Sequence, residues 1–452
     1  MGLFSKGITL RAYAALSTPP LLETPVPEQV ILPLRHYVGE PATPTVSPGD
    51  SVRAGQLIAT ASGPNSLPVH ASISGTVGAI SEQLTVQGLR VPAITIDTDG
   101  TDSAVELPAP DTDTATLSAE QICERIQAAG LTTCGTLPVP LAADLAPVDQ
   151  PKTHLSLTHR PVTKGIDTLI ITALDREPAL QATRYQAGRE HDELPAGIEA
   201  LKRVTGAERT VVVVDKSSPI APQITGLVAA DEEETTSIVR LDARHFPVGL
   251  PVPLIKAVTG RELPLPYGHP RDVGVALCDL ATVIAIGAGV TRQAPQTEIM
   301  ITVGGGSLKA QGVVAVKIGT PVGVLVEALG GVSRPPGKLI VGGPMTGMAH
   351  YDMSVPITKE VTGVFALSPD ELTLTVGYRE CINCGRCVAV CPVNLVPGML
   401  SMYCAKDRFD EARQEGLFTC IECGCCDHVC PSRRPLVHLF RHAKHQLTEQ
   451  QL

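Results

Sequence analysis

Between Lys6 and Lys152 the sequence has no lysine at all. A prosthetic group borne on a lysine arm is therefore excluded from that stretch. The N-terminus lacks the charged, apolar and small-residue layout of a secretory leader. No apolar stretch reads as a membrane span either. The longest, "VGVALCDLATVIAIGAGV" (273–290), carries Asp279 and three glycines and reads as a buried α/β segment. Basic excess is missing too: 36 Lys and Arg against 46 Asp and Glu leave a net charge of −10. That balance argues against a nucleic-acid partner and against a basic membrane coat. The expectation is a soluble or peripheral chain.

Disorder is excluded by a hydrophobic content of 43% with 18% charged residues, which are globular values. At 452 residues the chain is too long for one core and divides into three or four domains.

Ten of the thirteen cysteines lie between Cys381 and Cys430. "CINCGRCVAVCP" (381–392) and "CIECGCCDHVCP" (420–431) repeat one spacing, and each ends in proline. Disulfide frameworks belong to small exported domains, so clustered thiols here mean metal or redox chemistry. Zinc is usually served by two CxxC pairs across a longer spacer. Three cysteines at i, i+3 and i+6, with a fourth before proline, is the run of bacterial two-cluster ferredoxins, whose fourth cysteine reaches the other cluster. This assigns Cys381, Cys384, Cys387 and Cys430 to one [4Fe–4S] cluster, and Cys420, Cys423, Cys426 and Cys391 to a second. Gly385 and Gly424 stand where backbone must approach inorganic sulfide. Cys404 and Cys425 lie outside the frame and are expected to pack as small apolar residues, with Cys123, Cys134 and Cys278 structural too.

Between the motifs, residues 393–419 show helical spacing and predict one or two helices. After Pro431, Leu436, Leu439, Phe440 and Ala443 share one helical face. The opposite face carries Arg433, Arg434, Arg441 and Lys444, with no acid from His428 to Thr448. That face is either a solvated covering helix or a docking surface for an acidic electron partner.

Nearer the N-terminus, "SPGDSVRAGQLIATASGPNSLPVHASISGTVGAI" (47–80) alternates short apolar strands with tight turns and resembles the barrel-sandwich fold of biotinyl and lipoyl carriers. Without the lysine it is a structural barrel. A Thr/Pro-rich acidic stretch (97–117) reads as a linker. Ser118 and Gln121 form a capping box for a helix with Ile122 and Ile126 inward, ended by Gly130. "DTLIITA" (167–173), "RTVVVVD" (209–215) and "TSIVRLD" (236–242) alternate with helical stretches around 190–205 and up to 229. That alternation predicts a doubly wound parallel sheet with its ligand at the carboxyl strand ends. A small β-rich unit follows (296–350), in which Gly304–Gly306 reads as a turn, since no lysine-serine follows it.

The expected architecture is a multidomain α/β chain in four parts. A barrel-sandwich hybrid occupies 1–100, a doubly wound α/β nucleotide-type domain 118–295, a β-grasp-like unit 296–355, and a two-cluster ferredoxin-like helical domain 375–452. That order resembles the C subunit of the Rnf ion-translocating electron transport complex over nearly the whole chain. The likeness is carried by "VILPLRHYVGEPATPTVSPGDSVRAGQ", "PVHASISGTV", "LIKAVTGRELP", "DVGVAL", "VGGPMTGM" and both cysteine motifs. The resemblance implies a peripheral subunit on the cytoplasmic face of the bacterial inner membrane, beside the B, D and G subunits. It implies NADH oxidation on bound FMN and single-electron transfer through the clusters to the ferredoxin-like B subunit. It also implies cofactor contacts from Gly130, Gly135, Asp175 and Glu177.

The sequence departs from that family at the flavin loop. Where the family has G-L-G-G-A-G-F-P-T, this chain has "GLTTCGTLP", with Thr132, Thr133 and Thr136 altering the loop. N-A-A-E-C-E-P becomes "TALDREP", and P-S-G-G-x-K-Q-L becomes "PVGLPVPL", with Val252 at the lysine position. β-Branched residues are costly where backbone must approach a phosphate. An electron-relay and docking subunit without a flavin site, and the related corrin reductase of bacterial microcompartments, are the alternative readings.

Overall fold

The computed structural model describes residues 6–10, 20–35, 39–63, 65–101, 103–108, 114–132, 141, 165–229, 235–266, 268–372, 377 and 379–449. Strands Gln29–Pro33, Arg90–Thr98, Gly75–Leu84 and Ser51–Val52 form one antiparallel sheet, and Thr43–Pro44, Leu57–Thr60 and Val69–His70 form another. Val30, Ile58, Ile73, Ile94 and Ile96, all fully buried, fill the space between them. The barrel strands begin only at Gln29. Earlier residues leave the unit expected over 1–100: Ile8–Thr9 pairs with His245–Phe246, and Leu21–Leu22 pairs with Val313–Val314.

Four parallel strands follow in the order Thr236–Leu241, Arg209–Asp215, Thr168–Thr172, Val275–Asp279. Their near-continuous apolar runs are what burial on both faces requires. Leu169, Ile171, Val212 and Val214 meet helices Ala119–Ala128, Leu194–Thr205 and Leu280–Arg292 on one face. Ile170, Val211 and Val213 meet Leu254 and Ile255 on the other. The capping box forms as expected: Gln121 N donates to Ser118 Oγ at 3.2 Å, and Ser118 N donates to Gln121 Oε1 at 2.8 Å. The apolar run at 273–290 resolves into a strand and a helix, with Asp279 as N-cap accepting from Thr282 N at 2.7 Å. Among the described residues no helix is long and apolar enough to cross a membrane.

The next sheet is mixed, ordered Met348–His350, Lys338–Val341, Gly363–Leu367, Glu298–Gly304, Gly312–Lys317, Leu21–Leu22, with helix Val322–Ala328 packed on it. It runs past the expected boundary at 355. The apolar run "GVFAL" is a central strand, parallel to Glu298–Gly304 and antiparallel to Lys338–Val341. This sheet shares one core with the barrel. Gly305 turns the chain with φ +100°, and Gly306 N donates to Glu371 Oε2 at 2.8 Å, so that turn's amide is already occupied.

The C-terminal residues fold as two copies of one motif. Helix Arg386–Val390 recurs as Cys425–Val429. Left-handed backbone recurs thirty-nine residues later in each case: Asn383 and Glu422, Gly385 and Gly424, Asn394 and Arg433. Four of these six are not glycine, and positive φ costs such residues energy, so loop shape is over-determined in both copies. The excursion between the motifs is the helix pair Pro397–Cys404 and Phe409–Gln414, packed on Leu436–Glu449. Leu436, Phe440 and Ala443 are buried there, and Leu439 is partly so.

Candidate redox centres and the ligand cavity

Cys391, Cys420, Cys423 and Cys426 line one small void, closed by Gly424, Leu395, Val437 and Phe440. Leu395 N points at Cys391 Sγ (3.3 Å) and Glu422 N at Cys420 Sγ (3.4 Å), the N–H···S contacts that favour thiolates. Burial pushes the free Cys420 thiol up to about 12, with nearby Lys444 opposing. Such thiols ionise when iron takes the place of their protons. In the other copy Cys381 and Cys387 converge on Gly398, where an added Cβ would lie 3.7 and 3.6 Å from their sulfurs. Cys384 is exposed and Cys430 half-buried. Among the described residues no three His, Cys, Asp or Glu side chains close on a single ion. Cys404 is buried among apolar neighbours, whereas Cys425, equally buried, lines the void beside Cys423 and hydrogen-bonds it.

The basic helix is turned partly inward. Arg441 Nε and Lys444 Nζ both donate to Glu422 at 2.7 Å, and Lys444 Nζ also donates to Cys420 O at 2.7 Å. Arg441 reaches Thr346 O at 2.9 Å, on a turn of the mixed sheet. Arg434, 4% exposed, bonds Ser401. Three of the cations that would make a docking face therefore serve the fold.

A cavity of about 600 Å³ opens at the carboxyl ends of the parallel strands. Thr172 and Asp279 line it from the strand ends, Thr132 and Asp175 from the segments expected to hold cofactor, and Lys359 and Glu360 from the mixed-sheet unit. Asp175 is buried and accepts from Thr183 N (2.9 Å) and Arg184 N (3.2 Å). Burial raises its pKa to about 6 against those donors. Lys359 Nζ donates to Gly130 O at 2.5 Å, and burial pulls its pKa down to about 8, with Glu360 opposing. His70 of the barrel stands beside it, pushed down to about 4 by burial and by the Lys359 charge.

Of the expected cofactor contacts, Asp175 lines the cavity and Gly130, at φ +68°, receives the Lys359 ammonium. Gly135 lies outside the described residues, as do Thr133, Thr136 and Cys134. Glu177 is placed elsewhere: its carboxylate accepts from Met345 N, Thr346 N and Thr346 Oγ1, tying the parallel-sheet unit to the mixed sheet. Val252 packs into the core on the far face of the sheet, while Gly249, Pro251 and Leu254 line the cavity. Lys359 and His70 carry no local sequence signal. They meet because three units converge at Gly130.

Three protein families match. The RnfC barrel-sandwich hybrid domain covers residues 3–101, the Nuo51 FMN-binding domain 149–288, and the 4Fe–4S binding domain 374–396. The RnfC-type component of a proton-translocating ferredoxin:NAD(+) oxidoreductase complex from Clostridium ljungdahlii is 32% identical over 88% of this chain and 83% of its own length. The chain belongs to the RnfC family. An RnfC relative from Acetobacterium woodii, in a Na(+)-translocating complex, is 31% identical over 94% of this chain and 92% of its own. Another, from Pseudomonas aeruginosa, is 36% identical over 99% of this chain but 56% of its own length. As an RnfC protein with a 4Fe–4S motif, the chain is an electron-transfer subunit of an ion-translocating oxidoreductase complex. These relatives carry the Rnf reading and not the corrin reductase alternative.

Proposed function

We propose that this RnfC chain passes electrons between a nicotinamide nucleotide and a ferredoxin-like subunit through two [4Fe–4S] clusters. Cys381, Cys384, Cys387 and Cys430 hold one, and Cys391, Cys420, Cys423 and Cys426 hold the other. The observation that carries this is the thirty-nine-residue repeat of left-handed turns around both cysteine sets. The second set faces the rest of the protein: Cys423 and Cys425 pack with Ile8, Phe246 and Met345. That core brings the cluster void against the parallel-sheet unit.

In finer detail, we read the parallel unit (118–295) as a doubly wound nucleotide-type domain, the mixed sheet as β-grasp-like, and 375–452 as a two-cluster ferredoxin-like domain. The strand order and the parallel central pair support the first two. The cavity is the place for FMN. Its volume suits a cofactor of that size, and Lys359 supplies an interior cation. Bound flavin would supply the exchange of a hydride pair for single electrons. The chain's own residues position it: Thr132 and Asp175 shape the wall, and the strand ends Thr172 and Asp279 form the floor. Membership in the complex implies contact with its B, D and G subunits from the cytoplasmic face.

A relay role without flavin is favoured by one observation. Asp175 and Asp279 already occupy two helix N-termini that face the cavity, those of Ala182–Ala187 and Leu280–Arg292, where a phosphate would otherwise bind. A visible spectrum of the purified protein, before and after acid release of flavin, separates the readings, with iron and sulfide analysis alongside. The proposal expects about eight irons per chain and stoichiometric FMN. About eight irons with no flavin leaves the relay, and about four overturns the two-cluster assignment.

A further inference from the structure

The cavity has an electrostatic peculiarity that the flavin-domain match at 149–288 does not contain. A flavin phosphate needs a cation or a helix N-terminus. Two helix N-termini at this cavity hold carboxylates of the chain itself, and a third, that of Pro251–Thr259, lacks N–H donors at Pro251 and Pro253. Asp175 accepts from Thr183 N and Arg184 N, and Asp279 accepts from Thr282 N and Thr282 Oγ1. Two arginines also line the wall: Arg292 is paired with Glu193, and the Arg176 charge acts on Glu177. Val252, partly buried against the Leu254 cluster, does not line the cavity.

Lys359 differs from these groups. Its segment belongs to the mixed-sheet unit, yet its ammonium reaches across to Gly130, at the start of the altered loop. The bond to Gly130 O uses one of three donors. The nearest charge that acts on it is the neighbouring Glu360 carboxylate, which also lines the cavity and only partly offsets the cost of its burial. Gly130 leaves the room: a Cβ there would stand 3.0 Å from Lys359 Nζ and 2.9 Å from Pro68 O. Burial that one neighbouring carboxylate only partly offsets is costly for an ammonium, and an arriving dianion repays that cost. His70, on the barrel side of the same junction, has a buried Nδ1 without a partner and stays neutral, so it adds no competing charge.

We propose that Lys359 is the cation that holds the phosphate of the flavin, delivered into the cavity by the mixed-sheet unit. The assignment rests on the flavin-binding reading above. It makes the binding site a product of three units, because Lys359, Gly130 and His70 come from three different parts of the chain. It also explains how the site tolerates valine at 252.

The test is a fluorescence titration of the full-length chain with FMN and with riboflavin, which lacks the phosphate. The unaltered protein should prefer FMN about ten- to a hundredfold, the worth of one charged hydrogen-bonded contact. That preference should fade as pH rises through about 8, while riboflavin affinity stays level. Lys359→Met should abolish the preference by weakening FMN alone, and Lys359→Arg should keep most of it. The titration of the unaltered protein needs no variant, so a misfolded Lys359→Met cannot shield the idea. Equal affinity for both flavins overturns the assignment to Lys359 and leaves flavin binding standing. Binding of neither flavin overturns both. A Lys359→Met protein that loses ADP-ribose affinity while keeping its FMN preference would move the lysine to the dinucleotide and overturn the assignment.

Discussion

The Glu177 carboxylate accepts a hydrogen bond from Met345 N at 2.7 Å, across 168 positions of sequence. Thr346 N adds a second at 2.8 Å, and a Cβ on Gly343 would overlap the carboxylate. The parallel-sheet unit is thus plugged into the turn that also contacts the cluster domain through Arg441. Glu177→Ala leaves buried N–H groups without acceptors and should cost about 2–4 kcal/mol. Gly343→Ala should destabilise through the same contact, and the two changes should be strongly non-additive. Thermal denaturation of the single and double variants measures this. Additive losses would mean that the plug is not a unit.

Arg441 and Lys444 share Glu422, which lies beside Cys420. Replacing Arg441 by Met should loosen the C-terminal helix by about 1–3 kcal/mol, since Glu422 keeps only one cation. Hydrogen exchange over 436–449 should accelerate with little change in the parallel-sheet unit. Unchanged protection would make the basic face a solvated one after all.

The two cysteine classes separate chemically. Cys387→Ser should lose or degrade one cluster, because its sulfur converges with Cys381 at Gly398. Cys425→Ser should leave iron content unchanged, because Cys425, though it lines the void beside Cys423, falls outside the repeated ligand spacing and packs with Ile8 and Phe246. Iron and sulfide analysis of both variants decides it, and equal losses would refute the assignment.

Two buried groups pull stability in opposite directions over one pH window. Asp175 has a folded pKa of about 6 against 3.8, so the stability it contributes is complete below 3.8 and is lost as pH rises through 6. His70 has a folded pKa of about 4 against 6.5, so its contribution is present above 6.5 and is lost as pH falls through 4. Each amounts to about 3 kcal/mol at full extent. Between pH 4 and 6 they nearly cancel. Relative to the unaltered protein, Asp175→Asn should gain stability as pH rises through that window, and His70→Gln should lose it. Urea midpoints at several pH values would show both slopes.

The removal of charge at 252 invites a repair that the structure argues against. Val252→Lys would place an ammonium at a partly buried position that does not line the cavity. FMN affinity should stay within about twofold, whereas Thr132→Gly, which opens the cavity wall, should raise it. A large gain from the lysine alone would show that the helix carrying residue 252 turns to meet the ligand.

What the sequence made legible was local. Ser118 and Gln121 announce a helix start three residues apart, and the cysteine spacing fixes its loops whatever the rest of the chain does. The run at 273–290 reads as a buried α/β segment because Asp279 and three glycines interrupt it, and the fold shows that aspartate to be a helix N-cap. Long-range partnerships left no comparable trace. Glu177 matched a cofactor motif by position, yet its lone pairs are filled by a turn far down the chain. The central strand Gly363–Leu367 was missed because five apolar residues in a row have no period. Lys359 looks like any lysine until the fold brings Gly130 to it.

The N-terminal arm has a consequence for how the molecule is made. Ile8–Thr9 waits for His245–Phe246, and Leu21–Leu22 waits for Val313–Val314. On a ribosome adding about 5–20 residues per second, those partners emerge roughly tens of seconds after the arm. The barrel strands from Gln29 to Thr98 can close in the meantime, so two segments made before the barrel dock after it. The arm then works as a seal on assembly order. A nascent chain halted before residue 245 should carry a closed barrel and an arm open to protease.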